Sequence, residues 1–431
     1  MTSTPSSPRI VTAYEHTPIP VGLGGPDALS AAESERLLRI AGRRRGFCTR
    51  EYGAVRVAQH CGVVSMGQRL LEILPKTHSA EDSAGARSML VRMLRLAGAS
   101  SVFRELPSGQ ARVGERLLDV FISAFFDAVS ALLRGGLLKQ YRAQVDDLRV
   151  VRGRIHMTRQ FGALANRTDV VACQFDEMDV DNRWNRIIKS GLLSVLGWTD
   201  DVGLRRRGFE LLAGLDEVTA VPLELLELSW ISFDRAGQRY RPAVEWVRLI
   251  AATQSPSLRA GDTSASGLLF DMNQLFERAV ARVLAEKLRS YEISVTAQEA
   301  KQHLARVSGS KTRHFPLRPD LILRRNGEVV ALADTKWKLL RVSSSNHLVP
   351  SNADVYQMVA YASVYGVTEL ALIYPWQQGI ETSVETRYRI RTPDERRVTL
   401  HVVCMQMEAD GMPAVRGTEF FDRIQTDMVS N

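Results

Sequence analysis

The chain is 431 residues long, more than one hydrophobic core usually organises, so two or three domains are expected. With 45% apolar and 24% charged residues it has the composition of a folded protein, and its net charge of +8 suits a polyanionic partner. No apolar run approaches the roughly 18 residues that span a bilayer, no signal-peptide core opens the chain, and Cys48, Cys61, Cys173 and Cys404 lie far apart. The expectation is a cytoplasmic protein with reduced thiols, no membrane partner and no zinc or disulfide framework.

In chain order, residues 1–30 are rich in Pro, Gly, Ser and Thr. They predict a disordered start with one strand within 11–20. Ser30 or Ser34 caps a helix that runs to Ile40. Residues 53–76 alternate as strands do, in Ala54-Val55-Arg56-Val57 and Leu70-Leu71-Glu72-Ile73-Leu74. Residues 80–255 read as mostly helical, with helices at 88–97, 116–134, 182–196 and 244–252. Residues 255–266, dominated by Ser, Gly, Ala and Thr, read as a linker. An amphipathic helix follows over 268–288, then a hairpin, a second helix, and strands at 370–374 and 398–403. The fold class expected is multidomain α/β. It comprises a β-rich N-terminal domain (1–78), a mostly helical domain (79–265) and a C-terminal α/β domain (266–431), with no internal repeat.

The hairpin carries the chemistry. Asn326-Gly327 accepts the positive φ of a type I′ turn and joins the strand after Arg318-Pro319-Asp320 to the strand ending Ala333-Asp334-Thr335-Lys336. Folding there brings Asp320 and Asp334 to one end of the ribbon. Asp334 and Lys336, two apart, share a face. Two hard carboxylates beside an ammonium suit Mg²⁺, which acidifies water and stabilises charge on phosphate, while Lys336 orients or deprotonates that water. An acid-x-Lys triplet by itself is a common strand-edge pattern. The Pro-Asp, the turn and the apolar strands around it make the combination specific. Glu277 edges the apolar stripe of the preceding helix and is a candidate third carboxylate. Gln357 and Tyr361, four apart on the following helix, share a face that suits a phosphate or a nucleotide.

Glu on a helix, Pro-Asp, Asp-x-Lys on a hairpin and Gln-x-x-x-Tyr on a helix together resemble the PD-(D/E)xK nuclease core of the RecB-type subgroup. Met272-Asn273-x-Leu275-Phe276-Glu277 and Ala333-Asp334-Thr335-Lys336-Trp337-Lys338 are similar to the McrC family, the nuclease subunit of methylcytosine-dependent McrBC restriction systems. Leu71-Glu72-Ile73-Leu74-Pro75-Lys76, Arg152-Gly153-Arg154-Ile155 and Cys173-x-Phe175-Asp176-Glu177 extend the likeness over about residues 50–380. The resemblance implies a restriction-endonuclease-like C-terminal domain that cuts double-stranded DNA with Mg²⁺, or Mn²⁺ in its place. It implies metal on Glu277, Asp320 and Asp334, water positioned by Lys336, and support for the DNA or the site from Gln357 and Tyr361.

No G-x-x-x-x-G-K-[ST] string occurs, and Gly309-Ser310-Lys311-Thr312 lacks the Gly-Lys order. The resemblance therefore implies a separate motor, an AAA+ GTPase of the McrB type. That motor would dock on the N-terminal and helical regions, be stimulated by the chain (Arg43–Arg45 or Arg50 acting in trans) and carry the modification specificity. Basic clusters stand at Arg43–Arg45, Arg205–Arg207 and Arg324–Arg325. Two other readings remain. A non-catalytic activator of an AAA+ motor with a vestigial nuclease fold is opposed by the intact Asp320, Asp334 and Lys336. A stand-alone RecB-like repair nuclease is opposed by the long motif-poor helical region.

Overall fold

The computed structural model describes residues 10–406 except 23–24, 26, 43, 68, 78–81, 99–100, 107–115, 227, 229–230, 232, 234–236, 255–267, 299–301, 381–384 and 392–394, together with Phe420 and Ile424. The expected linker at 255–266 lies outside the described residues. The chain is mixed α/β and divides into two compact units. One joins residues 9–117 to 260–431, and the other spans 118–259 with residues 1–8, which are not described.

In the first unit, β1 (Ile10–Tyr14) and β2 (Pro18–Pro20) replace the single strand expected at 11–20, because a turn at Glu15-His16, closed by the Thr17 N–H on the Tyr14 carbonyl, separates them. Helix α1 (Ala31–Ala41) starts at Ser30 as expected. The Ser30 side chain accepts from the Glu33 N–H while Glu33 reaches back to the Ser30 N–H, a capping box. β3 (Cys48–Glu51) and β4 (Ala54–Val57) form a three-stranded sheet with β2. β5 (His60–Ser65) and β6 (Leu70–Leu74) form an antiparallel pair, and β1 lies parallel to β6. Glu72 sits buried in β6. Its carboxylate takes Arg87 of α2 (Ser83–Ala97) in a two-pronged pair at 3.0 and 2.7 Å, Thr12 Oγ1 at 3.0 Å and the Leu117 N–H at 2.9 Å. Every lone pair that burial removed from water thus has a donor.

The second unit contains α3 (Leu117–Arg134), β7 (Gln140–Leu148), β8 (Arg154–Ile155), α4 (Met157–Phe161), β9 (Val171–Asp179), α5 (Arg183–Leu196), α6 (Val202–Ala213) and α7 (Arg241–Gln254). α3, α5 and α7 fall where periodicity placed helices, and α4 and α6 add to them. The reading of 80–255 as mostly helical is corrected by the sheet β7-β9-β8. β7 and β9 pair over nine residues, Gln140↔Asp179 to Leu148↔Val171. No residue of β7 is fully buried, so the strand lacks the alternation that betrays a half-buried strand. Tyr141 and Val145 are exposed on β7 and Met178 on β9, and Val150 and Phe161 are exposed as well. In the core, a Cβ on Gly191 of α5 would stand 2.6 Å from Val247 Cγ2, so only glycine lets α7 come this close. Tyr240 Oη donates to Asn185 Oδ1 at 2.6 Å and accepts from the Leu138 N–H at 2.7 Å.

The chain re-enters the first unit as β10 (Leu269–Asp271), an edge strand on β5. The helix expected from 268 therefore begins later, as α8 (Met272–Leu288), with Asp271 capping Asn273 and Gln274. A six-stranded sheet follows in the order β11-β14-β15-β18-β20-β19: β11 (Ile293–Ala297), β14 (Leu321–Arg325), β15 (Glu328–Thr335), β18 (Glu369–Pro375), β20 (Arg397–Met405) and β19 (Glu385–Arg391). Two small ribbons interrupt it, β12 (Gln302–Arg306) with β13 (Arg313–Leu317) and β16 (Arg341–Val342) with β17 (Leu348–Val349). β14 and β15 are antiparallel, whereas β15, β18 and β20 run parallel. A parallel pair needs a crossover, and α9 (Asn352–Tyr365) supplies it between β15 and β18. Ile322, Leu332, Leu370 and Leu372 pack with Met358, Tyr361 and Ala362 of α9.

Candidate functional site

Asn326 (φ 49°) and Gly327 (φ 87°) adopt the positive φ values a type I′ turn requires, and Arg325 faces Glu328 across it. The register Leu321↔Ala333 then sets Asp320 beside Asp334 at the far end of the ribbon. Asp334 and Lys336 share a face as expected, and the Lys336 ammonium is in ion-pair contact with Asp334 Oδ2. Lys336 Nζ also donates to Gln357 Oε1 at 3.0 Å, Gln357 Nε2 to Tyr361 Oη at 2.7 Å, and Tyr361 Oη to the Arg318 carbonyl at 3.0 Å. One chain of contacts therefore links the end of β15, one face of α9 and the residue before Pro319. Thr335 points away from the Asp334 face, and its N–H and Oγ1 both donate to Asp320 Oδ2 at 2.7 Å. That fixes one oxygen of Asp320.

The electrostatics are those of crowded carboxylates. Burial first, then the charges of Asp320 and Asp334, push Glu277 on α8 up to about 7. Asp334, 1% exposed, is pushed up to about 6 by burial and by Asp320, with Lys336 pulling the other way. Asp334 Oδ2 has the Lys336 ammonium in contact. One ammonium among three crowded carboxyls leaves negative charge that a further cation can balance. Among the described residues no group of three or more His, Cys, Asp or Glu forms a ready metal cage. Mg²⁺ does not need one, because it keeps several waters and takes one or two carboxylates plus substrate phosphate. Asp320, Asp334 and, alongside them, Glu277 fit that demand.

Three supports escaped the sequence reading. Gln298 Nε2 donates to Glu277 Oε2 at 3.1 Å, and its N–H to the Asp320 carbonyl at 3.0 Å. Its φ of 52° left no pattern in the sequence. Lys338, two residues past Lys336, pairs with buried Asp354 at 2.9 Å, and Tyr374 Oη donates to the same carboxylate at 3.1 Å. Trp337 is gripped from the N-terminal strands: its Nε1 donates to Glu15 Oε1 at 2.8 Å, and Lys76 Nζ donates to its carbonyl at 3.1 Å. Lys76 ends the Leu71–Lys76 motif, so that motif's visible signal was its closing lysine. Among the basic clusters, Arg44 donates to the Leu269 carbonyl at 3.1 Å, Arg50 pairs with Glu35, Arg207 pairs with Asp127, and Arg325 donates to the Ile424 carbonyl. Arg43 is not described.

This geometry can be set beside known proteins. The profile of the McrBC 5-methylcytosine restriction system component family matches residues 55–375. The chain belongs to that family. A chain of the refined half-complex from the tetradecameric assembly of Thermococcus gammatolerans McrB AAA+ hexamers with bound McrC shares its fold. The match has a TM-score of 0.70 and 19% identity over 97% of this chain and 100% of that one. The cryo-EM structure of the Thermococcus gammatolerans McrBC complex also matches, at a TM-score of 0.49 and 21% identity over 65% of this chain and 88% of that one. No curated protein matches the chain. Among the described residues no helix is long and apolar enough to cross a membrane.

Proposed function

We propose that this McrBC-family chain is the McrC-type subunit, a PD-(D/E)xK endonuclease that cuts double-stranded DNA with Mg²⁺ in defence against modified foreign DNA. The observation that carries the reading is the crowded carboxylate end of β14 and β15, where Asp334 and Glu277 are held partly protonated beside Asp320 with Lys336 in contact. Asp320 Oδ1 and Asp334 would hold the metal, with Glu277 binding it directly or through a water. Bound Mg²⁺ or Mn²⁺ supplies a more acidic water and neutralises charge on the scissile phosphate. Lys336, steadied by Gln357, orients the attacking water and offsets negative charge as it develops. Tyr361 holds Gln357 and the Arg318 carbonyl, which keeps the approach to Asp320 in register.

The partner in this reading is an AAA+ GTPase of the McrB type, because the chain carries no nucleotide-binding loop and a similar fold occurs with bound McrB hexamers. Docking falls to the region 79–265 and cutting to 266–431. Exposed Tyr141, Val145, Met178 and Phe161, on and beside the sheet β7-β9-β8, support a docking role. Asp334→Ala, mixed with the GTPase on methylated plasmid, is expected to lose Mg²⁺-dependent cleavage and keep full stimulation of GTP hydrolysis. Cleavage at the parent rate would refute the site.

A further inference from the structure

The ribbon β12–β13 lies between β11 and β14 in sequence but joins neither in the six-stranded sheet. From residue 300 to 319 the chain has five Lys or Arg (Lys301, Arg306, Lys311, Arg313, Arg318) and no Asp or Glu. Arg306, Lys311, Arg313 and Arg318 are exposed, and among the described residues none of the four has a carboxylate partner. Arg306 stands directly opposite Arg313 in the ladder. Like charges placed there destabilise a strand pair, and an anion bound across them removes that cost. Two positions from each, Leu304 and Phe315 are 52% and 65% exposed. Phe315 has a φ of 57°, a left-handed conformation that is strained for an aromatic residue and marks functional segments.

The ribbon is tied to the candidate site. β12 packs against α9, and Leu317 at the end of β13 is buried in the same cluster as Tyr361. Tyr361 Oη then holds the Arg318 carbonyl, two residues before Asp320. Extended chain rises about 3.3 Å per residue, so the seven residues from Arg313 to Asp320 reach at most roughly 23 Å, or about seven base pairs of duplex. A cationic ribbon that leads into a phosphodiester-cutting carboxylate matches a backbone running away from the cut.

We propose that β12–β13 is the duplex-DNA contact of this chain, with Arg306 and Arg313 on phosphates within about two-thirds of a helical turn of the scissile bond and Phe315 against the groove beside them. The inference rests on the nuclease reading above. It adds where the DNA lies, and because the contacts are to phosphates they carry no sequence or methylation preference.

The test is duplex binding by the full chain without divalent metal, followed by fluorescence anisotropy from low to physiological salt. Each phosphate contact contributes about 0.9 to the slope of log K against log salt. Arg306→Ala/Arg313→Ala is expected to make the slope shallower by about 1.8 and to weaken low-salt binding about tenfold or more. Arg389→Ala/Arg391→Ala removes the same charge from the opposite edge strand, β19, and is expected to change neither. Phe315→Ala should weaken binding with no change of slope. The proposal is overturned if the ribbon pair leaves the slope unchanged, if both arginine pairs act equally, or if the parent chain binds no duplex. A chain that binds through the ribbon yet does not cut with Mg²⁺ would leave the ribbon standing and remove the nuclease reading.

Discussion

Two buried acidic sites in the same compact unit are treated in opposite ways. Glu72 in β6 is saturated, with two prongs from Arg87, a hydroxyl from Thr12 and a backbone N–H from Leu117. The Asp320–Asp334–Glu277 group is left short of positive charge, with one ammonium, that of Lys336, beside three carboxyls. Removing a partner from a completed buried pair costs stability. Crowded carboxylates with one ammonium among them can take up a further cation instead.

The largest expected effect strikes the second group. Lys336→Met should lower Mg²⁺-dependent cleavage about 10²–10⁴-fold, the usual worth of a positioned proton-transfer or charge-stabilising group. The melting temperature should fall only modestly, because Asp334 can take up a proton in place of the lost ammonium. Single-turnover cleavage beside a thermal melt would show it, and a variant that cuts normally would remove Lys336 from the reaction.

Glu72→Ala is the mirror experiment. It leaves the Arg87 guanidinium buried without its partner, and about 3–5 kcal/mol of stability should be lost. Denaturant titration measures this directly. A loss below about 1 kcal/mol would mean that the pair is not the structural hub described.

The third prediction concerns pH. Glu277 and Asp334 titrate near 7 and 6, both above their ordinary values, and both must lose protons before they ligate a cation. Apparent Mn²⁺ affinity should therefore rise from pH 5.5 to 7.5 and level off above, with protons released on binding. The sign for stability is opposite. Raised carboxyl values favour the protonated folded form, so without metal this contribution is complete at pH 4 and is lost as pH climbs through 6–7. Calorimetry in buffers of different ionisation enthalpy tests the first part, and a pH-independent affinity would contradict it.

Tyr361→Phe should matter least. It removes the hydroxyl that joins Gln357 to the Arg318 carbonyl, worth about 1 kcal/mol in stability and less than tenfold in cleavage. A larger loss of cleavage would place the phenol on the substrate.

Much of the candidate site was legible because its geometry is local. An Asn-Gly turn, strand alternation and a four-residue helical step were enough to bring Asp320 to Asp334, Asp334 to Lys336 and Gln357 to Tyr361. Glu277 joined them through tertiary packing, which its stripe position and the family-like words around it signalled without fixing the distance. The grip of Glu15 and Lys76 on Trp337 was not legible, since it spans more than 250 residues of chain. In the fold, caps and apolar periodicity located the main helices. β7 stayed hidden because exposure on both faces erases the period of two, whereas β9 keeps that period in buried Cys173 and Phe175, a signal the helical reading passed over. β10 was read as helix because Leu268-Leu269-Phe270 continues the apolar stripe of α8, and its partner β5 lies some 200 residues away.

The most direct measurement is a pair of thermal melts of the full chain, with and without Mn²⁺, for the parent and for Asp334→Asn. The substitution keeps the shape of the side chain and removes one of the crowded charges. The account predicts that the metal-free variant melts at or above the parent, by about 0.5–2 kcal/mol in stability. Mn²⁺ should raise the parent by several degrees and leave the variant unmoved. A parent that does not respond to Mn²⁺, or a variant that responds equally, would contradict the claim that these carboxylates are held in reserve for a metal.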